Sequence, residues 1–246
     1  MKRMGLSFAS SLRTPLVLLG LAGSAVACGG ETPEPQAPVH EADEQPHHSA
    51  PAMKASADIG ALDEAKVSQA FRGSQKDLQA CLADGAKRNE LEGGDIAFLV
   101  KIGAGGRVVH AHAEKSTIGD RDTEKCMLKA LHNRDWPAPE GGDVGIARNS
   151  FGFDMPNDER PPTDWDADRV ASAKSSLASK LDQCKRGVSG SMTATVYVDP
   201  EGAAVTAGVA SSDDSGEEAA DCVVGVLKGA KYPSPGSWPA KVTFEL

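Results

Sequence analysis

Two histidines at alternate positions, His110 and His112, and four cysteines, Cys81, Cys126, Cys184 and Cys222, are the side chains of this 246-residue chain best suited to chemistry. Imidazoles at alternate positions of an extended run point to one face, so this pair could offer two nitrogens to a zinc- or copper-class ion. No third ligand stands beside them. They are weak metal candidates, and the residue pattern favours solvent-facing histidines. Three further histidines, His40, His47 and His48, sit in an acidic, Pro-rich stretch whose composition argues against a defined metal site.

The four thiols contain no Cys-x-x-Cys, and their spacing fits no zinc motif, so structural disulfides are the expected chemistry. No Gly-x-Ser-x-Gly elbow, His-Glu-x-x-His, phosphate-binding glycine loop or dinucleotide fingerprint occurs. Asp213 with Asp214, and Glu217 with Glu218, read as helix-start acids and solvated surface. Neither a catalytic activity nor a cofactor is expected.

The elements that hold these residues are duplicated. Residues 94–139 overlay residues 190–235 at a constant offset of 96 without a gap, and ten of the 46 positions are identical. Among them are Gly94/Gly190, Gly106/Gly202, Cys126/Cys222, Leu131/Leu227 and Pro137/Pro233. Three disulfide pairings are possible; duplication selects Cys81–Cys126 and Cys184–Cys222, because each copy should fold by itself.

Within the first copy, Val67, Phe71, Ser74, Leu78 and Cys81 form one helical stripe, matched by Val170, Leu177, Leu181 and Cys184. Asp164, Asp166 and Asp168 precede the second stripe; Arg169 stands where a calcium loop needs Gly, so they read as acids at a helix N-terminus. Ile96, Phe98, Val100 and Ile102 alternate as a strand with one buried face, as do Met192, Ala194, Val196 and Val198. A Gly- or Pro-containing turn leads to an antiparallel strand expected to bury Val109, Ala111 and Ala113, or Val205, Ala207 and Val209. A second helix carries Cys126, Ala130 and Leu131, or Cys222, Val226 and Leu227. It ends at Trp136-Pro137-Ala138-Pro139 or Tyr232-Pro233-Ser234-Pro235, and a last strand follows.

The predicted fold class is α+β: two tandem small modules, each helix-strand-strand-helix-strand, with a three-stranded antiparallel sheet covered on one face by two helices. The predicted boundaries are 1–27 for a signal peptide, 28–60 for a lipidated N-terminus and tether, 61–156 for module one and 157–246 for module two.

The first 27 residues place Lys2, Arg3 and Arg13 before an apolar stretch too short to span a bilayer, the layout of a secretory signal. It ends Ala25-Val26-Ala27-Cys28, which resembles a bacterial lipobox and would make Cys28 the lipidation site; Ala25-x-Ala27 also suits ordinary signal peptidase. Lipidation would anchor the protein to a membrane. Cleavage removes three of 26 basic residues and none of 35 acidic ones, taking the formal charge from −9 to −12, which argues against nucleic acid as a partner.

The residues from Cys81 through the Gly106-Arg107-Val108 turn, Ser116-Thr117, Cys126 and Trp136-Pro137-Ala138-Pro139 to Phe153 resemble the TonB C-terminal-like domain. They are most similar to its AgmX/PglI C-terminal variant from gliding-motility proteins, which has this cysteine pair. The resemblance implies a non-catalytic cell-envelope module that docks a protein or peptide by strand addition to a sheet edge. The edges expected to dock are residues 150–153 and 242–246. The expected location is the outer membrane, periplasm-facing and lipid-anchored, or else secreted or soluble in the periplasm. The alternative function is a zinc- or copper-handling periplasmic lipoprotein.

Overall fold

In the computed structural model, the described residues are 59–156 and 159–246. The expected signal, Cys28 and most of the expected tether, with His40, His47 and His48, lie outside the described residues. Both modules belong to one compact unit, Met53–Leu246. Among the described residues, no helix is long and apolar enough to cross a membrane.

Module one begins with α1 (Glu64–Gly85), opened by Asp63, whose carboxylate accepts from the Lys66 N–H. Its apolar stripe buries Phe71, Ser74, Leu78 and Cys81 as the spacing predicts. Strands β1 (Gly94–Gly103) and β2 (Val108–Ser116) form an antiparallel hairpin. Helix α2 (Arg121–His132) follows, with the Asp120 carboxylate capping the N–H groups of Asp122 and Thr123. Strand β3 (Val144–Phe153) then pairs with the other side of β1, giving the order β2-β1-β3. The helices cover one face, where Phe98, Val100, Leu78, Met127, Leu131 and Trp136 make the core.

Module two repeats this order with one addition. A short strand β4 (Thr163–Trp165) precedes a 3₁₀ turn (Ala167–Val170) and α3 (Ala171–Cys184); then come β5 (Met192–Val198), β6 (Ala204–Ser211), α4 (Asp214–Lys228) and β7 (Ala240–Glu245). Because β4 pairs in parallel with β7, the second sheet has four strands, ordered β4-β7-β5-β6, and is mixed rather than three-stranded and antiparallel. Asp164 therefore lies in a strand. Asp166 stands before the 3₁₀ turn but makes no side-chain cap.

Both hairpins carry a register shift at the same place, between Lys101 and Ile102 in one and between Tyr197 and Val198 in the other. The bulge inserts one residue opposite β1, so Val108 enters the core and Val109, expected inside, is 59% exposed. Beyond it the alternation resumes, and Ala113, Ala207 and Val209 are buried. In the second helices the buried face is rotated from the expected one: Met127, Leu128 and Leu131 in α2, and Val223, Val224 and Leu227 in α4, leave the second cysteine of each pair at the rim.

The structure joins Cys81 to Cys126 and Cys184 to Cys222, 45 and 38 residues apart, each bridging the two helices of its own module. Loops of this length give about 4 kcal/mol each in the chain-entropy account.

Candidate functional site

The two modules meet along β2 and β6. Module two lays β6 and the start of α4 against β2 of module one, while α2 lies against β6. No hydrogen-bonded ladder joins β2 to β6; they remain edges of separate sheets. The junction is polar and paired. Thr195 Oγ1 donates to the Ser116 carbonyl at 3.2 Å, Asn89 Nδ2 to Thr206 Oγ1 at 3.1 Å, and the Tyr197 hydroxyl to the Gly93 carbonyl at 3.2 Å. Lys241 Nζ donates to the same Gly93 oxygen at 2.7 Å and lies over the Tyr197 ring; burial pushes its amine down to about 8.

His110 and His112 do share one face of β2, but that face looks into the junction. The expectation of solvent-facing histidines is wrong: the His112 side chain is 1% exposed and His110 is half-buried. Across from them stands Asp214, the first residue of α4, whose Oδ1 lies 3.3 Å from His110 Nε2 and 3.1 Å from His112 Nδ1. The reading of Asp214 as a solvated helix-start acid is corrected with it. Asp213, one residue earlier, is the cap and accepts from the Gly216 N–H. The other Asp214 oxygen, Oδ2, pairs with Lys101.

The distances suit ion pairs, yet the nitrogens of His112, His110 Nε2 and Asp214 Oδ1 are buried and make no hydrogen bond. At such separations only misdirected angles can account for this. Burial holds the His112 imidazole below its ordinary pKa range, against the pull of the Asp214 carboxylate. A neutral imidazole at this place leaves buried polar atoms unsatisfied, at about 1–3 kcal/mol apiece.

The matching position in module two is Gly208. A Cβ there would lie 2.4 Å from Glu124 Oε1 of α2, so the duplicated strand is stripped to glycine where the other module inserts a carboxylate. Glu124 accepts from Ser116 Oγ at 2.6 Å and from the Val209 N–H at 3.1 Å, and burial pushes it up to about 7. Beside it, Arg121 of α2 donates to Glu217 and Asp221 of α4, both at 2.7 Å.

The second site concerns the last strands. In module one, the Gly60 N–H donates to the Val144 carbonyl at 2.8 Å; in module two, the Thr163 N–H makes the corresponding bond to Pro239 at 2.9 Å. Gly60 and Thr163 differ by 103 positions, as do Cys81 and Cys184, so the two approaches are duplicates of each other. From there they diverge. β4 continues alongside β7 to Val242, whereas the module-one chain turns aside and Ala61 pairs with Glu140.

The outer edge of β3 beyond Val144 therefore has no strand neighbour among the described residues. Since Val144 turns its carbonyl outward, strand alternation sends the backbone groups of Ile146, Arg148, Ser150 and Gly152 outward too. A groove of about 500 Å³ runs beside the first of these, lined by Leu62, Val67, Phe71, Ile146, Arg148 and Asn149. Of the two edges expected to dock, residues 150–153 are open, while in 242–246 Val242 is paired with Trp165 and residues 243–245 have no outer strand neighbour among the described residues. No protein-family model, curated protein or solved structure matches the chain.

Proposed function

We propose that the chain is a non-catalytic cell-envelope docking protein, in which module one receives an extended peptide segment of a partner along β3. The observation that carries this reading is the unequal use of two duplicated edges. Module two covers the start of its own edge with β4, a parallel strand at this position of the fold. Module one begins the same pairing at Gly60 and abandons it after one residue, leaving four outward-turned backbone positions and an adjoining groove of mixed polar and apolar lining. Strand addition draws its energy from those backbone groups and its selectivity from the groove.

The resemblance to TonB C-terminal-like domains points the same way. So does the leader: a lipid on Cys28 followed by an extended Pro-rich tether would hold the modules at a membrane while leaving them reach. In this reading the protein faces the periplasm from the outer membrane.

The test is Ser150→Pro, which deletes an outward N–H but none that faces β1. Affinity capture from envelope extracts with the intact chain should recover a partner that the folded variant fails to recover. Equal recovery by both, with the variant's urea denaturation unchanged, would refute docking on this edge.

A further inference from the structure

The junction cluster carries an inference of a different kind. We propose that His110, His112 and Asp214 form a site for a zinc-class divalent transition-metal ion, with two ligands from module one and one from module two.

Four facts about the three side chains support it. Their ligand atoms lie within 4.8 Å of one another, although Asp214 is more than a hundred residues from the histidine pair. The two separations from Asp214 Oδ1, 3.1 and 3.3 Å, lie slightly under and at the edge of a tetrahedron about a metal whose bonds are near 2.0–2.1 Å, which is about 3.3–3.4 Å. The atoms are buried and make no hydrogen bonds, so their capacity to bind a shared cation is unspent. Finally, Lys101 occupies the other oxygen of Asp214, leaving Oδ1 as the single free donor of that carboxylate.

Two imidazoles and one carboxylate are a borderline set that suits zinc, copper or nickel and leaves a coordination position for water. The same contact has an opposing effect. An ammonium paired to the ligand carboxylate orients it, as outer-shell groups do, but also repels the ion. Binding in the micromolar range, rather than the far tighter range of four-ligand structural sites, is what this arrangement predicts. The ion's role is that of a clamp. Its ligands come from both modules, so occupancy resists their separation.

The experiment uses the intact chain and zinc ion in competition with a chromophoric chelator. One zinc per chain should bind with a dissociation constant below about 10 μM. Asp214→Asn and His110→Gln should each weaken it at least tenfold. Replacing His40, His47 and His48 together with Gln should leave that binding unchanged. Bound cobalt should show the visible absorption of a low-coordinate nitrogen and oxygen site, and zinc should raise the melting temperature of the parent chain but not of Asp214→Asn. His112→Gln is a harsher change because its ring fills the junction; Asp214→Asn keeps the shape and carries the test. Absence of binding at 10 μM, or binding that survives Asp214→Asn and vanishes with the three outer histidines, would overturn the proposal.

Discussion

The carboxylate of Glu124, in the first module, accepts the backbone N–H of Val209, in the second, at 3.1 Å in a fully buried setting. One carboxyl group thus links the two folded halves, and it is raised from an ordinary 4.5 to about 7 by burial.

That shift has a definite sign. Between pH 4.5 and about 7 the folded protein holds a proton that the unfolded chain has released, so stability falls as pH rises. The contribution of Glu124 is full below pH 4.5 and lost on passing through about 7, amounting to about 3 kcal/mol. Glu92, buried with neither oxygen hydrogen-bonded and pushed up to about 8, acts in the same direction. Glu124→Gln removes one of the two. Its urea-denaturation stability, measured across this range, should rise relative to the parent by about that amount as pH increases; parallel curves would refute the assignment.

Gly106 and Gly202 hold left-handed backbone angles of +72° and +79°, and a Cβ on either would lie 2.5 or 2.3 Å from the carbonyl oxygen of Trp136 or Tyr232. Alanine at either position meets strain and a backbone clash together, with an expected cost of about 1–3 kcal/mol or more. Gly105, in the same turn, has nothing within 4 Å of such a Cβ. Gly105→Ala should be neutral or slightly stabilising. Denaturation midpoints of the three variants decide it, and equal losses would count against the clash.

Gly106 and Trp136 also mark where sequence reading succeeded. The Trp136 N–H donates to the Gly106 carbonyl and its indole Nε1 to Leu131, while Tyr232 repeats both contacts with Gly202 and Leu227. Gly106/Gly202 and Leu131/Leu227 are identical in the two copies and meet the aromatic residue of each fold, which is why the duplication located them. The pairing of the cysteines followed from the same logic. Periodicity alone could not locate the bulge that expels Val109, because one inserted residue inverts the alternation without altering composition. Nor could it find β4, a three-residue strand whose partner lies 77 residues away in sequence.

The candidate metal site was half legible. His110 and His112 stand out by their spacing, but Asp214 lies more than a hundred residues away, at a helix start where an acid has an ordinary explanation. It becomes a ligand only through packing of one module on the other. Gly208 is the signal in reverse: its bareness at the position equivalent to His112 reflects the Glu124 carboxylate lodged there, which comparison of the copies could not distinguish from an unneeded side chain.

The junction also allows buried and exposed ion pairs to be compared on one helix. The Arg121 side chain is 10% exposed and joins Glu217 and Asp221 across the modules, whereas Lys125, one turn later, is 50% exposed and reaches only Asp221. Truncating Arg121 strands Glu217, itself 16% exposed, without its cation. Breaking a buried pair from one side costs about 3–5 kcal/mol, and the partial exposure here points to the lower end. Losing a pair like that of Lys125 costs about 0–1 kcal/mol. Arg121→Ala should therefore destabilise the chain by several times more than Lys125→Ala in urea denaturation, and only the latter loss should fade in high salt. If the two variants lose equally, the modules are not held together through Arg121.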